Sequence, residues 1–145
     1  MSLFSSLSVS ASGMDAQRTR AELLVENLAN AETTRTPEGG AYRRKDVVFQ
    51  SQSVGSPFSD VLAGEMSGGS TGVGVSDVTV DQRDPEKRYL PGHPDAGADG
   101  YVAFPRLNPA EEMVDLVSAS RGFQANVASM TSLKEMIQRS IDLLK

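Results

Sequence analysis

The sequence predicts an α+β fold: long N- and C-terminal helices packed as a coiled-coil stem, carrying a small, β-rich and partly irregular middle lobe. Three observations carry this expectation. Residues 1–31 and 109–145 repeat apolar side chains at helical spacing. All but one of the seven prolines fall between those zones, with most of the glycines. Short runs of alternating β-branched and aromatic residues lie in the same middle stretch.

Residues 1–31 read as the N-terminal axial helix. Leu7, Ala11, Met14, Ala21, Leu24, Val25, Leu28 and Ala31 recur at spacings of three, four and seven, which makes one narrow apolar stripe. Gly13 is its one glycine and it has no proline. Many stripe positions are alanine, so a neighbouring helix can approach closely. Two amides, Asn27 and Asn30, stand near the end of this pattern, ahead of a threonine-rich run and Pro37. Asn30 suits a helix terminator, because Asn tolerates the left-handed conformation at a helix end. Asn27 lies a turn earlier and needs another role.

Residues 32–108 form the middle region. Val73, Val75, Val78 and Val80 alternate loosely, Tyr101-Val102-Ala103-Phe104 is a second short run, and Val47-Val48-Phe49 is a third. Residues 64–74 are rich in Gly and Ser and read as a loop.

Residues 109–145 carry the strongest periodic signal. Asn108-Pro109-Ala110-Glu111 is a helix start, with Asn as N-cap, Pro at the first helical position and Glu at the third. Beyond it, Met113, Leu116, Ser120, Phe123, Val127, Met130, Lys134, Ile137, Ile141 and Leu144 follow a three–four spacing expected of a coiled-coil seam. Ser120 and Lys134 have two readings: polar register points inside the seam, or places where it faces solvent. Leu133, Met136, Ser140 and Leu143 widen the apolar face near the C-terminus. At about 1.5 Å per residue the two helices span roughly 40 and 55 Å, too long for a compact domain of this size. They fit an extended subunit whose termini are weakly ordered alone and become ordered on assembly.

Composition narrows the function classes. A net charge of −5 argues against nucleic acid as a main partner. The absence of cysteine removes disulfides, iron–sulfur clusters and thiolate zinc. No stretch approaches the roughly 18 apolar residues of a membrane span, and the N-terminus lacks the basic and apolar regions of a secretory signal. A soluble, cytoplasmically made chain is the default on these grounds.

Chemistry-bearing patterns are weak. Gly68-Gly69-Ser70-Thr71-Gly72 matches a nucleophile motif, but Gly and Ser flank it where the elbow needs a strand and a helix. His93 sits between Gly92 and Pro94, so a Ser70–His93 pair is disfavoured. Gly72-x-Gly74 lacks the third glycine of a dinucleotide loop. One histidine makes zinc improbable, and Asp81, Asp84, Glu86, Asp95 and Asp99 do not match a calcium loop. No catalytic residue, metal or cofactor is expected. Tyr42-Arg43-Arg44-Lys45 is the one basic cluster, read as a protein contact or a solvated turn in preference to a nucleic-acid contact.

Three stretches resemble the axial proteins of the bacterial flagellum, the rod, hook and filament-junction family, and within it a proximal-rod subunit. They are Asn27-Leu28-Ala29-Asn30-Ala31-Glu32-Thr33, the run from Thr34 through Pro37, Tyr42 and Lys45 to Phe49, and the run from Asn108 through Leu116 and Phe123 to Val127. Glu26 departs from the small residue common before the first Asn, and Gly122-Phe123 from a usual polar residue and Tyr. The resemblance implies a structural subunit that stacks helically into a hollow drive shaft, transmits torque and encloses an export channel. Its implied partners are copies of itself, other rod subunits, basal-body ring and adaptor proteins, and the export apparatus in transit. It implies residence in the flagellar basal body, in the cell envelope, after export without a cleavable signal peptide. The expected assembly interface is Leu7, Met14, Leu24, Asn27, Leu28 and Asn30 on the first helix. On the last helix it is Met113, Leu116, Ser120, Phe123, Val127, Met130, Ile137, Ile141 and Leu144. Asn27 and Asn30 are expected to bind chain ends of this or adjacent subunits and set axial register. The rival reading is a free-standing coiled-coil adaptor or chaperone of a secretion system, which forms an ordered, concentration-independent oligomer.

Overall fold

A computed structural model describes residues 3–53 and 71–143. Helix α1 runs Leu3–Ala29, strand β1 Lys45–Ser53, β2 Thr71–Val80, β3 Glu86–Tyr89 and β4 Tyr101–Phe104, and helix α2 closes the chain over Pro109–Asp142. The class is α+β, with two helices bracketing two small antiparallel sheets. Helix α1 stops two residues short of the expected end.

The two helices run antiparallel, and their contacts pair Asn27 with Glu112, Arg20 with Asp115, Gln17 with Gly122 and Gly13 with Asn126. Close approach depends on the two glycines. A Cβ on Gly13 would lie 2.9 Å from Asn126 Nδ2, and one on Gly122 would lie 3.2 Å from Gln17 Cδ. Each glycine is a notch that receives an amide side chain of the other helix. Mid-helix glycine costs about 1 kcal/mol of propensity against alanine, so the notches have a packing reason.

The expected seam is displaced by about one position. The face that α2 turns to α1 contains Glu112, Leu116, Ala119, Gly122, Asn126, Met130, Leu133 and Ile137. Met113, Ser120, Phe123, Val127, Lys134 and Ile141 are exposed. Both rows have three–four spacing, and Leu116, Met130 and Ile137 are half-buried members of the expected one. The reason for the shift is physical. Small and polar residues let the helices close up around a hydrogen-bonded cluster, whereas an apolar count gives weight only to large side chains. Ser120 and Lys134 therefore face solvent within the subunit. Leu144 lies outside the described residues.

Strands β1 and β2 form a long ribbon that packs along α1, where Val73 N donates to Ser12 Oγ at 3.1 Å. Residues 71–74 belong to β2, so that end of the expected loop is strand, and residues 64–70 lie outside the described residues. A bulge at Ser76 explains the loose valine alternation. Val48 pairs with Asp77 and Phe49 with Val75, which leaves Ser76 extra, and its hydroxyl donates to Val48 O at 3.1 Å. Residues directly opposite share a face. The one-residue slip thus brings Val73, Val75, Val78 and Val80 to one side, with Val47 and Phe49. Without it, Val78 and Val80 would point away from Val73 and Val75.

Strands β3 and β4 pair Glu86 with Phe104 and Tyr89 with Tyr101, whose rings meet edge-on at 5.3 Å. Val102 of this hairpin is buried. Strand β3 went unread in the sequence because Glu86-Lys87-Arg88-Tyr89 has no apolar alternation and all four residues are exposed.

Candidate functional site

The candidate site is a buried polar cluster where α1 ends, β1 begins and α2 begins. Asn27 is fully buried at 0% exposure, and all four hydrogen-bonding positions of its amide are used. Its Nδ2 donates to Lys45 O at 2.8 Å and to Glu112 Oε2 at 3.1 Å. Its Oδ1 accepts from Lys45 N at 2.9 Å and from Tyr42 OH at 2.9 Å. Two donors converge on one atom, which fixes that atom as the oxygen. The amide pairs both the N–H and the C=O of Lys45, as a neighbouring peptide would. It therefore acts as a one-residue strand partner at the start of β1.

Glu112, 2% exposed, completes the cluster. Its second oxygen accepts from Arg44 Nε at 2.5 Å. Arg44 lies 3.9 Å from Asp115, which accepts from Arg20 on α1 at 3.1 Å. Lys45 Nζ donates to Glu26 at 2.5 Å. The basic run Tyr42-Arg43-Arg44-Lys45 is thus mostly committed inside the subunit. A buried carboxylate is tolerable only with such partners, and here an amide and a guanidinium supply them.

Burial, then the charges of Glu26 and Glu112, push the Tyr42 phenol up to about 12. A raised folded-state value means that this contribution is complete below about pH 10, the ordinary tyrosine value, and is lost as pH rises through about 12. Alkaline titration followed by tyrosinate absorbance is expected to show a step near pH 12 in the parent protein that is missing in Tyr42→Phe. An unchanged profile in the variant would mean that Tyr42 ionises with the other tyrosines.

Asn30 bonds locally, just past the end of α1. Its Nδ2 donates to Glu26 O at 2.9 Å and its Oδ1 accepts from Thr33 Oγ1 at 3.1 Å. The α2 start has the expected form: Asn108 Oδ1 accepts from Ala110 N at 3.1 Å, with Pro109 at the first helical position. Of the expected contacts with this or an adjacent subunit, Asn27 makes its bonds within this one, to Lys45, Glu112 and Tyr42, and these occupy its whole amide. Leu24 is buried, and Leu7, Met14 and Leu28 are half-buried. Met113, Phe123, Val127 and Ile141 are 39–53% exposed and stand on the free side of α2. Glu112 and Tyr42 were not anticipated as partners of Asn27, nor Arg44, Asp115 and Arg20 as the network around Glu112. The matching signal was a basic run in the middle region and an acidic first turn of α2, with no spacing to connect them. Of the disfavoured Ser70–His93 pair, Ser70 lies outside the described residues, and His93 Nδ1 accepts from Asp95 N at 3.1 Å within its own turn.

Comparison with known proteins decides the family. Residues 98–143 match the family described as flagellar basal body rod FlgEFG protein C-terminal. The flagellar basal-body rod protein FlgC of Bacillus subtilis is 43% identical over 100% of both chains. The FlgC proteins of Borreliella burgdorferi and Salmonella typhimurium are each 37% identical, over 100% and 99% of this chain and 99% and 98% of their own. The chain belongs to the FlgC family of flagellar basal-body rod proteins. Membership in the FlgC family makes it a structural rod subunit of the flagellar basal body, not an enzyme. Among the described residues no helix is long and apolar enough to cross a membrane. The family match at the C-terminus takes in the whole of α2, including the exposed apolar row.

Proposed function

We propose that this rod subunit assembles helically, with copies of itself and other rod proteins, into the proximal part of the hollow shaft that carries torque and encloses the export channel. The observation that carries this reading is the free side of α2. Met113, Phe123, Val127 and Ile141 form an apolar row on a helix of 34 residues, left exposed after α1 has taken the other face. Apolar area of this kind is expensive to leave in water at about 25 cal/mol per Å2. Neighbouring subunits cover it in a lattice, and many shared helix contacts resist shear better than one. The half-buried Leu7, Met14 and Leu28 extend the contact surface on α1. Delivery by the flagellar export apparatus, without a cleavable signal peptide, and contact with basal-body ring and adaptor proteins belong to the same reading.

The test is a double variant, Phe123→Asp with Val127→Asp. Both side chains stand on the outer face, so the stability of the isolated chain is expected to fall by only about 1–2 kcal/mol for the pair. Assembly is expected to fail, because each aspartate would be desolvated beside apolar neighbours. The readouts are denaturation of the purified chain, swimming, and recovery of the subunit in isolated basal bodies. A variant that swims and co-purifies with basal bodies at the parent level would sink the α2 row as an interface. A purified parent chain that forms a stable small oligomer, unchanged on dilution, would favour the adaptor.

A further inference from the structure

We propose that an arginine-lined cleft, rimmed by the glycine turn at residues 39–40, receives a carboxylate of a second copy of this chain. The proposal rests on the assembly reading above and adds a polar contact to its apolar one. The cleft has a volume of about 110 Å3 and draws its walls from three separated segments. Residues 39–44 supply Arg43 and Arg44, residues 81–85 supply Asp81 and Arg83, and Arg106 follows β4. Four arginines of an acidic chain thus converge on a space with a single carboxylate in its lining, Asp81.

That carboxylate does not neutralise the cleft. Asp81 is engaged by Arg83, whose Nε lies 2.9 Å from both of its oxygens and whose terminal nitrogen lies 2.5 Å from one. Arg83, and more weakly Arg106, hold the Asp81 carboxyl down at about 2. Glu112 takes Arg44. Arg43 donates to a neutral acceptor, Asp81 O, at 3.1 Å. Arg106 makes no hydrogen bond or ion pair with any described residue. Arg43 therefore has no carboxylate partner among the described residues, and Arg106 acts only at a distance, on Asp81 and Glu86. Gly39 and Gly40 form an open rim, since a Cβ on either would meet nothing within 4 Å. Their positive φ values, 94° and 81°, fix the turn that leaves this side accessible.

The fit is to one carboxylate held by a planar fork, the arrangement that arginine favours. A polyanion needs an extended basic track, and the chain's net charge of −5 opposes one. The same chain supplies the complement. Glu38, Asp84 and Glu135 are exposed and make no ion pair among the described residues. A lattice of identical subunits places such groups repeatedly beside the cleft, and a matched pair fixes register better than it adds affinity.

The test uses a photo-crosslinking side chain at position 41, which lines the cleft and leaves all four arginines in place. The full chain is expressed in flagellated cells, and a second probe at position 127 samples the α2 row. The expected product at position 41 is a dimer of this chain, with the linked peptide mapping to an acidic stretch. Adding Arg43→Gln and Arg106→Gln is expected to reduce its yield several-fold while leaving the α2 product and the far-ultraviolet dichroism unchanged. Linkage at 41 to a different protein, no linkage at 41, or a yield indifferent to the arginines would each overturn the proposal. Linkage at 127 with none at 41 would leave the assembly reading standing, whereas no linkage to any flagellar protein at either position would remove both.

Discussion

Asn27→Ala is expected to destabilise the isolated subunit by about 3–5 kcal/mol, the largest effect of any single amide in the chain. The substitution removes four hydrogen bonds at once. Each is worth about 0.5–1.5 kcal/mol net, but the groups left behind matter more, because an unpaired buried polar group costs about 1–3 kcal/mol. Lys45 loses partners for both its N–H and its C=O, Tyr42 loses an acceptor and Glu112 loses a donor. Water entering the space recovers part of this. Asn27→Asp is expected to be worse still: it offers Lys45 O no donor and sets a second carboxylate against Glu112. Asn30→Ala is the control, at about 1 kcal/mol, because its bonds sit at a half-exposed helix end. Urea denaturation followed by circular dichroism measures all three, with the midpoint shifting at constant slope. An Asn27→Ala chain within about 1 kcal/mol of the parent would show that solvent replaces the amide without penalty.

Much of the architecture was legible because it rests on local rules. The Asn108-Pro109 start of α2 reads directly, since capping depends on four adjacent residues. Three of the four strands follow from β-branched runs. Strand β3 is legible only from its partner: Glu86-Lys87-Arg88-Tyr89 is held by pairing with Tyr101-Val102-Ala103-Phe104, and by Arg88 lying 4.9 Å above the Phe104 ring. The valines of β2 show what a local pattern loses. Their spacing looks defective until the bulge at Ser76 restores one face, and a bulge is set by the opposite strand.

The site was legible in one residue of its cluster. Asn27 drew notice because an amide in an apolar stripe demands a partner, yet its partners lie 15, 18 and 85 residues away. Nothing in a single sequence links Asn27 to Glu112. The same long-range choice decides which face of α2 is internal. Apolar periodicity identified a real row, but the subunit closes on the adjacent one. Glu112 and Ala119 are buried there, and Gly122 admits Gln17. The large apolar side chains left outside are the row proposed above to meet neighbouring subunits.

Glu112 should behave as the second half of the same device. Glu112→Ala is expected to cost about 2–4 kcal/mol, since it leaves a buried Asn27 donor unpaired and removes the shortest partner of Arg44. Glu112→Gln should cost less, about 1–2 kcal/mol. The amide oxygen still accepts from Asn27, and what is lost is the charge assistance to Arg44, which has Asp46 and Asp115 at 3.6 and 3.9 Å as alternatives. The decisive experiment is the double-mutant cycle of Asn27→Ala with Glu112→Ala. Their shared bond and common burial imply that the double variant loses about 1–3 kcal/mol less than the two single losses together. Strict additivity would mean that α1 and α2 are each anchored to β1 independently. Coupling would mean that the end of one axial helix and the start of the other form one rigid corner. A corner of that kind passes load between helices that would otherwise slide, which is what the torque-bearing role proposed above requires.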